Sequence, residues 1–380
     1  MQPGFRSEVF VQFINVIKLS GVKKIVLIAQ DRQAFLHTAP LVGIFRKNDL
    51  FEPLLLRVLH SGDDIDHKAL SLAFGLDDSM LLIETDPVRP VVEIASLMLR
   101  FERVFHEHEP AFVIPGGHDN ASLAAALVAA RMGIPVVSLD AGLRSYDRTE
   151  AAEINRLLID SIAAMYFVSE HSGIYNLMNE GIADDRILFV GNTAIDSLVA
   201  LIGRNKSTAL HERLGIEPEK YITVLLSAPP RAETAGHREM LVRVLETLAA
   251  TTMVIIPGGM ASDEAFDDEF GDSGLRVIAR PGYIDLVHLL KESAFVLTDT
   301  DEFEAELTVM NVPCLSMHQG TSRPSTVEIG TNVLTGYDEE EILERASVIL
   351  SGKPTDKSLI PEKWDGAAAL RVVAVLERAG

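Results

Sequence analysis

Side chains able to exchange protons or hold anions cluster in a few short stretches of this chain. Gly117-His118-Asp119-Asn120 places an imidazole beside a carboxylate, and Leu139-Asp140-Ala141-Gly142-Leu143-Arg144 places a carboxylate four residues before an arginine. Such groups can move a proton at a reacting carbon and hold a departing anion. Part of this pattern also has a purely structural reading. His118 or Asp119 can cap a helix beginning near Asn120, which needs nothing from a substrate. Six carboxylates in thirteen positions at 262–274 read as a solvated acidic loop.

These groups need a frame to hold them. At 380 residues, 47% of them hydrophobic, the chain suits two domains with a core each. Its formal charge of -21 repels a phosphate backbone, so nucleic acid is not an expected partner. Cys314 is the single cysteine and reads as a small apolar residue of a buried strand. Charged residues interrupt the first 27 positions, so no membrane insertion or cleaved leader is expected, and the cytoplasm is the natural compartment. An amphipathic helix is expected at 6–19. Short Val- and Ile-rich runs then alternate with helix-period segments, the pattern of parallel sheets covered on both faces. Strands are expected at 24–29, 53–59, 111–115, 135–139, 165–168 and 187–190, and in a second series at 221–226, 253–257, 276–278, 295–298 and 313–317. Helices are expected at 121–132, 237–249 and 284–293, with a hinge at 191–196. The fold class is therefore α/β, with two doubly wound, Rossmann-like domains facing across a cleft. No Gly-x-Gly-x-x-Gly fingerprint suggests a nicotinamide cofactor.

Leu139 to Arg144, Ile154-Asn155-Arg156 and Gly191-Asn192-Thr193 follow one another in an order that resembles the non-hydrolysing UDP-N-acetylglucosamine 2-epimerase family. There a Val-Glu-Ala-Gly-Leu-Arg turn, a Glu-Glu-Ala-Asn-Arg helix and a Gly-Asn-Thr hinge occur in the same order. Ala39-Pro40-Leu41, Tyr283-Ile284-Asp285, Thr298-Asp299, Arg323-Pro324 and Asp365-Gly366-Ala367 extend the similarity over nearly the whole chain. The resemblance implies a glycosyltransferase-B-like architecture. Its first domain would span 1–193 with a C-terminal helix from 363–380 returning to it, and its second would span 194–362. It also implies a UDP-linked sugar substrate, a homodimer, a place in polysaccharide biosynthesis, and neither metal nor cofactor. The family reaction removes UDP from carbon 1 as carbon 2 loses a proton, then protonates the glycal on its other face.

Carried over by position, the resemblance implies catalytic Asp140, His118, Asp119 and Glu153. It implies substrate contacts from Arg32, His37, Arg144, Arg231, Thr300, Glu306 and Arg323. Several positions depart from the family pattern. His37 replaces a lysine, Asp140 replaces a glutamate, and Ala152 replaces the first of two paired glutamates, leaving Glu153 with a reading as a helix support. Pro229 stands where the family has a histidine, and Pro257-Gly258-Gly259-Met260 lacks another. Thr300-Asp301-Glu302 replaces a Ser-Gly-Gly diphosphate cradle, and its carboxylates are expected to cap a helix themselves. A magnesium or calcium site from Asp299, Asp301, Glu302 and Glu306 is conceivable, though acidic helix starts are common. In the bland reading Glu306 is a surface acid of its helix and Arg323 pairs with it or with a neighbour. Three functions therefore compete: a sugar-nucleotide 2-epimerase, a family member that has stopped catalysing and serves as a binding or assembly subunit, and a glycosyltransferase or hydrolase of the same architecture.

Overall fold

The computed structural model describes residues 21–60, 67–76, 80–85, 89–203, 208–226, 235–258, 274–352 and 359–379. The chain forms two compact units, one running to Ala200 and resuming at Glu362, the other Leu201–Pro361. The helix expected at 6–19, Pro229, Arg231, Met260 and nearly all of the acidic stretch lie outside the described residues.

In the first unit, β1 (Lys23–Ala29), α1 (Arg32–Phe45), β2 (Phe51–His60), α2 (His67–Phe74), β3 (Met80–Thr85), α3 (Pro90–His108), β4 (Phe112–Pro115) and α4 (Asn120–Arg131) alternate along the chain. β5 (Val137–Leu139), α5 (Ala151–Ile162), β6 (Met165–Val168), α6 (His171–Asn179), β7 (Ile187–Phe189) and α7 (Thr193–Ile202) follow. All pairings are parallel, in the orders β3-β2-β1-β4 and β5-β6-β7, with a bridge from Val113 to Val136 linking the two sets. β1 is apolar on both faces, with Ile25 to Ala29 fully buried, because helices cover each side. The alanines of α4 let it lie close against α3, over a core that includes Val26, Ile28, Leu56, Phe101 and Phe105.

β3 was not among the expected strands. It is an edge strand whose Leu81 and Leu82 are exposed, so its four apolar residues carry no alternating signal. After the second unit the chain returns in α14 (Ala368–Ala379), where the Asp196 carboxylate accepts from the Ala368 and Ala369 N–H groups at 3.1 and 2.7 Å. The first free amides of α14 are thus satisfied by a residue of α7. Trp364, fully buried, donates its indole N–H to the Ser169 carbonyl at 2.9 Å.

The second unit contains α8 (Thr208–Leu214), β8 (Tyr221–Leu225), α9 (Ala235–Ala249), β9 (Met253–Pro257), β10 (Leu275–Ile278) and α10 (Tyr283–Lys291). It continues through β11 (Val296–Thr298), α11 (Glu304–Met310), β12 (Cys314–Ser316), α12 (Pro324–Glu328), β13 (Asn332–Leu334) and α13 (Glu339–Leu350). Its parallel order is β10-β9-β8-β11-β12-β13. Cys314 is buried in β12, as its apolar context suggests. β13 also escaped expectation, since three residues carry no period. In each unit the strand order reverses beside the first strand, between β1 and β4 and between β8 and β11, where ligands of such sheets bind at the strands' carboxyl ends. Among the described residues no helix is long and apolar enough to cross a membrane.

Candidate active site

Three segments converge at the carboxyl ends of β1, β4 and β5. The first is the start of α1, capped by Asp31, whose carboxylate accepts from the Ala34 N–H at 2.7 Å. Arg32 and His37 on this helix are both buried. Pro40 inside α1 cannot donate to the Leu36 carbonyl one turn back. The Ser197 hydroxyl donates to it instead at 2.6 Å, tying α7 to α1 where the proline would otherwise leave a buried acceptor open.

The second segment is the turn after β4. A methyl group on Gly116 would lie 2.6 Å from the Ala34 carbonyl oxygen, so this turn sits directly on α1 and tolerates no side chain there. Asp119 is the N-cap of α4, accepting from the Ser122 N–H at 2.7 Å, which fulfils the capping role expected of this pair. His118 is half-buried, and its carbonyl accepts from the Asn155 side chain at 2.8 Å. Burial, then the nearby Asp31 carboxylate, push the Asp119 carboxyl up to about 7, against the Ser122 hydrogen bond and the Arg57 charge. Because the folded value lies above the unfolded one, this group favours the fold most below about pH 4, and that contribution is lost as the pH rises to about 7. Asp119→Asn keeps the cap acceptor without the charge. The variant should exceed the parent in stability by on the order of 1–2 kcal/mol at pH 8, with the gain fading by pH 4. Thermal unfolding at both pH values checks this, and an equal gain at each would count against it.

The third segment is the turn after β5. Asp140 adopts φ of 54°, a left-handed conformation that costs a residue with a Cβ roughly 1 kcal/mol. The turn is held from several sides. Gly142, at φ of 78°, has its Cα against the Gly173 carbonyl of α6 with no room for a side chain. The buried Asp160 carboxylate accepts from the Gly142 N–H at 3.0 Å and from the Ser138 hydroxyl at 2.8 Å. Arg144 donates to Asp160 at 2.8 Å, to Glu180 at 2.8 and 2.7 Å, and to the Leu143 carbonyl at 2.7 Å. Its guanidinium therefore braces the turn, a geometry that argues against the expected substrate contact. Glu153 is buried on α5, where it accepts from the Ser145 and Tyr146 N–H groups at 2.9 and 3.1 Å and pairs with Arg156 at 3.2 Å. It too has the geometry of a support.

Asp140 meets α1 at His37, whose ring also reaches α7. His37 Nε2 lies 3.5 Å from Asp140 Oδ2, and His37 Nδ1 lies 2.9 Å from the Thr193 hydroxyl. The side chains of His37 and Asp140 are 5% and 3% exposed, so solvent screens their interaction little. Thr193 belonged to the expected hinge but not to the expected site. The Gly-Asn-Thr run marked its position, while nothing local tied it to His37, 156 residues away.

In the second unit, the acidic turn departs from expectation. α11 starts only at Glu304, and Phe303, not Asp301 or Glu302, stands at its cap position. The Thr300 hydroxyl accepts from the Glu302 N–H instead, at 3.3 Å. Glu306 is 1% exposed, which removes its reading as a surface acid. Glu304, unremarked in the sequence, is equally buried and accepts from the Thr321 and Ser316 hydroxyls at 2.7 and 3.2 Å. Burial, with Asp301 adding to it, pushes the Glu304 carboxyl up despite these hydrogen bonds. Arg323 follows directly, its N–H donating to Thr321 at 3.0 Å. With Glu306 inside its helix and Asp301 at the surface, the acids of this turn do not converge on a cation. Among the described residues no group of three or more candidate ligands is placed to hold a metal.

The family model for UDP-N-acetylglucosamine 2-epimerase matches residues 52–377. The UDP-N-acetylglucosamine 2-epimerase of Methanocaldococcus jannaschii is 25% identical over 367 residues, covering 93% of this chain and 98% of that protein. The crystal structure of that enzyme in complex with UDP-GlcNAc and UDP matches with a TM-score of 0.75 at 22% identity, over 93% of this chain and 99% of that one. The Neisseria meningitidis enzyme bound to UDP-GlcNAc matches with a TM-score of 0.80 at 21% identity, over 93% and 100%. The chain thus belongs to the non-hydrolysing UDP-N-acetylglucosamine 2-epimerase family.

Proposed function

We propose that this protein interconverts UDP-GlcNAc and UDP-ManNAc, or a closely related UDP-sugar pair, by elimination and readdition of UDP. The C2–H bond breaks as its proton passes to a base, the C1–O bond breaks, and UDP leaves with the bonding pair. UDP then adds back to C1 as a proton reaches C2 from the opposite face. The cycle is redox-neutral and needs no nicotinamide. The observation that carries this reading is the buried Asp140 carboxylate, held beside His37 at the strand ends where the His118-Asp119 turn also lies. Asp140 is assigned to the C2 proton and the His118-Asp119 turn to the second proton transfer. Arg32 and Thr300 are assigned to the diphosphate, Glu306 to the ribose, and Arg323 and Arg231 to the substrate without a finer role.

The reading as an inactive subunit is not favoured, because position 140 retains a buried carboxylate in a chain related over nearly its full length to proteins named as epimerases. Proton NMR with UDP-GlcNAc in deuterated water tests the proposal. Loss of the C2–H signal together with appearance of UDP-ManNAc supports it, and an unchanged spectrum at high protein concentration excludes that substrate. The same reading extends to a cytoplasmic homodimer, for which light scattering is the test of assembly.

The acidic turn should tune affinity. Two like charges about 4 Å apart at an effective dielectric of 20 repel by about 4 kcal/mol, and one or two of those kcal/mol surviving solvent and rotation would weaken binding about tenfold per pair. Replacing Asp301 and Glu302 together by glycine should therefore tighten UDP binding by at least about tenfold in calorimetry. An unchanged affinity would show that these acids do not face the nucleotide.

A further inference from the structure

We propose that His37 is the positioning residue for Asp140, fixing the orientation of its carboxylate. The inference rests on the epimerase reading for its effect on rate, but the contact itself does not. Both substitutions that distinguish this corner from the family pattern, a shorter acid at 140 and an imidazole at 37, fall on the two partners of one buried contact of 3.5 Å. Imidazole is a planar ring whose two nitrogens can be fixed independently, unlike an ammonium on a flexible stem. Here one nitrogen faces Asp140 and the other is 2.9 Å from the Thr193 hydroxyl, so the ring cannot turn without breaking one of the two contacts. Thr193 is itself held, because Ser197 one turn along α7 is bonded to the Leu36 carbonyl next to His37. α7 therefore sets the ring, and the ring sets the carboxylate.

The test uses the full chain and UDP-GlcNAc in deuterated water, with C2 exchange and steady-state rates followed for the parent, His37→Gln, His37→Lys and Thr193→Val. His37→Gln should lower kcat and C2 exchange together by about tenfold to a hundredfold, the range that misplacing a reacting group costs, with KM changed less than about threefold. His37→Lys, whose ammonium on a flexible stem cannot be held from both sides, should not recover the loss, and Thr193→Val should lose several-fold. A His37→Gln protein that keeps the parent kcat, or that changes KM alone, overturns the proposal. An independent arm needs no substrate: the imidazole 15N resonances of His37 should differ between the parent and Asp140→Asn at one pH. Unchanged resonances overturn the pairing even if a His37 variant fails to fold. A parent that leaves the C2 proton in place refutes the epimerase reading instead, while the resonances still decide the pairing.

Discussion

Asp140→Asn is expected to lower kcat and C2 proton exchange by about a hundredfold to ten-thousandfold while leaving the fold intact. The size follows from what a positioned proton acceptor contributes to a transition state. The selectivity follows from the turn. Asparagine is among the residues that tolerate the left-handed region, so the φ of 54° at this position is no more strained in the variant than in the parent. The amide fills almost the same volume and keeps an oxygen that can face His37, 3.5 Å away in the parent. It cannot take a proton. Thermal unfolding within a degree or two of the parent, combined with the loss of exchange, would place the effect in the chemistry. Exchange within a few-fold of the parent would remove Asp140 from the proton step and move attention to the His118-Asp119 turn. KM is expected to change little, because the carboxylate acts on the reacting carbon and not on the nucleotide.

What could be read in the sequence was what is encoded locally. Asp119 as a helix cap, Cys314 in a buried strand and the short alternation of strands and helices each depend on neighbours within a few residues, and each is where the sequence placed it. The Asp140 turn was marked by its motif, and the glycine at 142 signals the close approach of Gly173. What could not be read was pairing across the chain. Thr193 reaches His37 over 156 residues, and Ser197 reaches the carbonyl vacated by Pro40 over 161. The burial of Glu304 and Glu306 was hidden for a related reason. A short acidic helix normally reads as exposed, and here hydroxyls from Ser316 and Thr321, twelve and seventeen residues on, donate to the Glu304 carboxylate. Asp301 and Glu302 misled in the opposite direction. A carboxylate before a helix normally reads as its cap, but the helix begins later and Thr300 bonds the turn internally.

Arg144 shows how such hidden pairing changes a residue's role, and Arg144→Met should have the largest effect on stability. The guanidinium is 1% exposed and its best-buried partner, Asp160, is 4% exposed. Removing one member of a buried pair leaves an uncompensated charge and costs about 3–5 kcal/mol. For a unit of this size that corresponds to a fall of roughly 10 °C in unfolding midpoint. Burial already pushes the Asp160 carboxyl up, and Arg144 is the charge that acts against it, so the variant should raise it further. With a folded value above the unfolded one, the penalty is full at neutral pH and shrinks on acidification, as Asp160 takes up a proton in the folded state. Asp160→Asn added to Arg144→Met should recover much of the loss, since the uncompensated charge is then gone, and the double-mutant cycle measures that coupling. If Arg144 instead held the substrate, as its place in the motif suggested, Arg144→Met would raise KM for UDP-GlcNAc and unfold close to the parent. The geometry favours the first outcome: the same carboxylate that receives Arg144 also receives the Gly142 N–H, two residues from Asp140. The brace and the proposed proton acceptor therefore belong to one turn, and losing the first should displace the second.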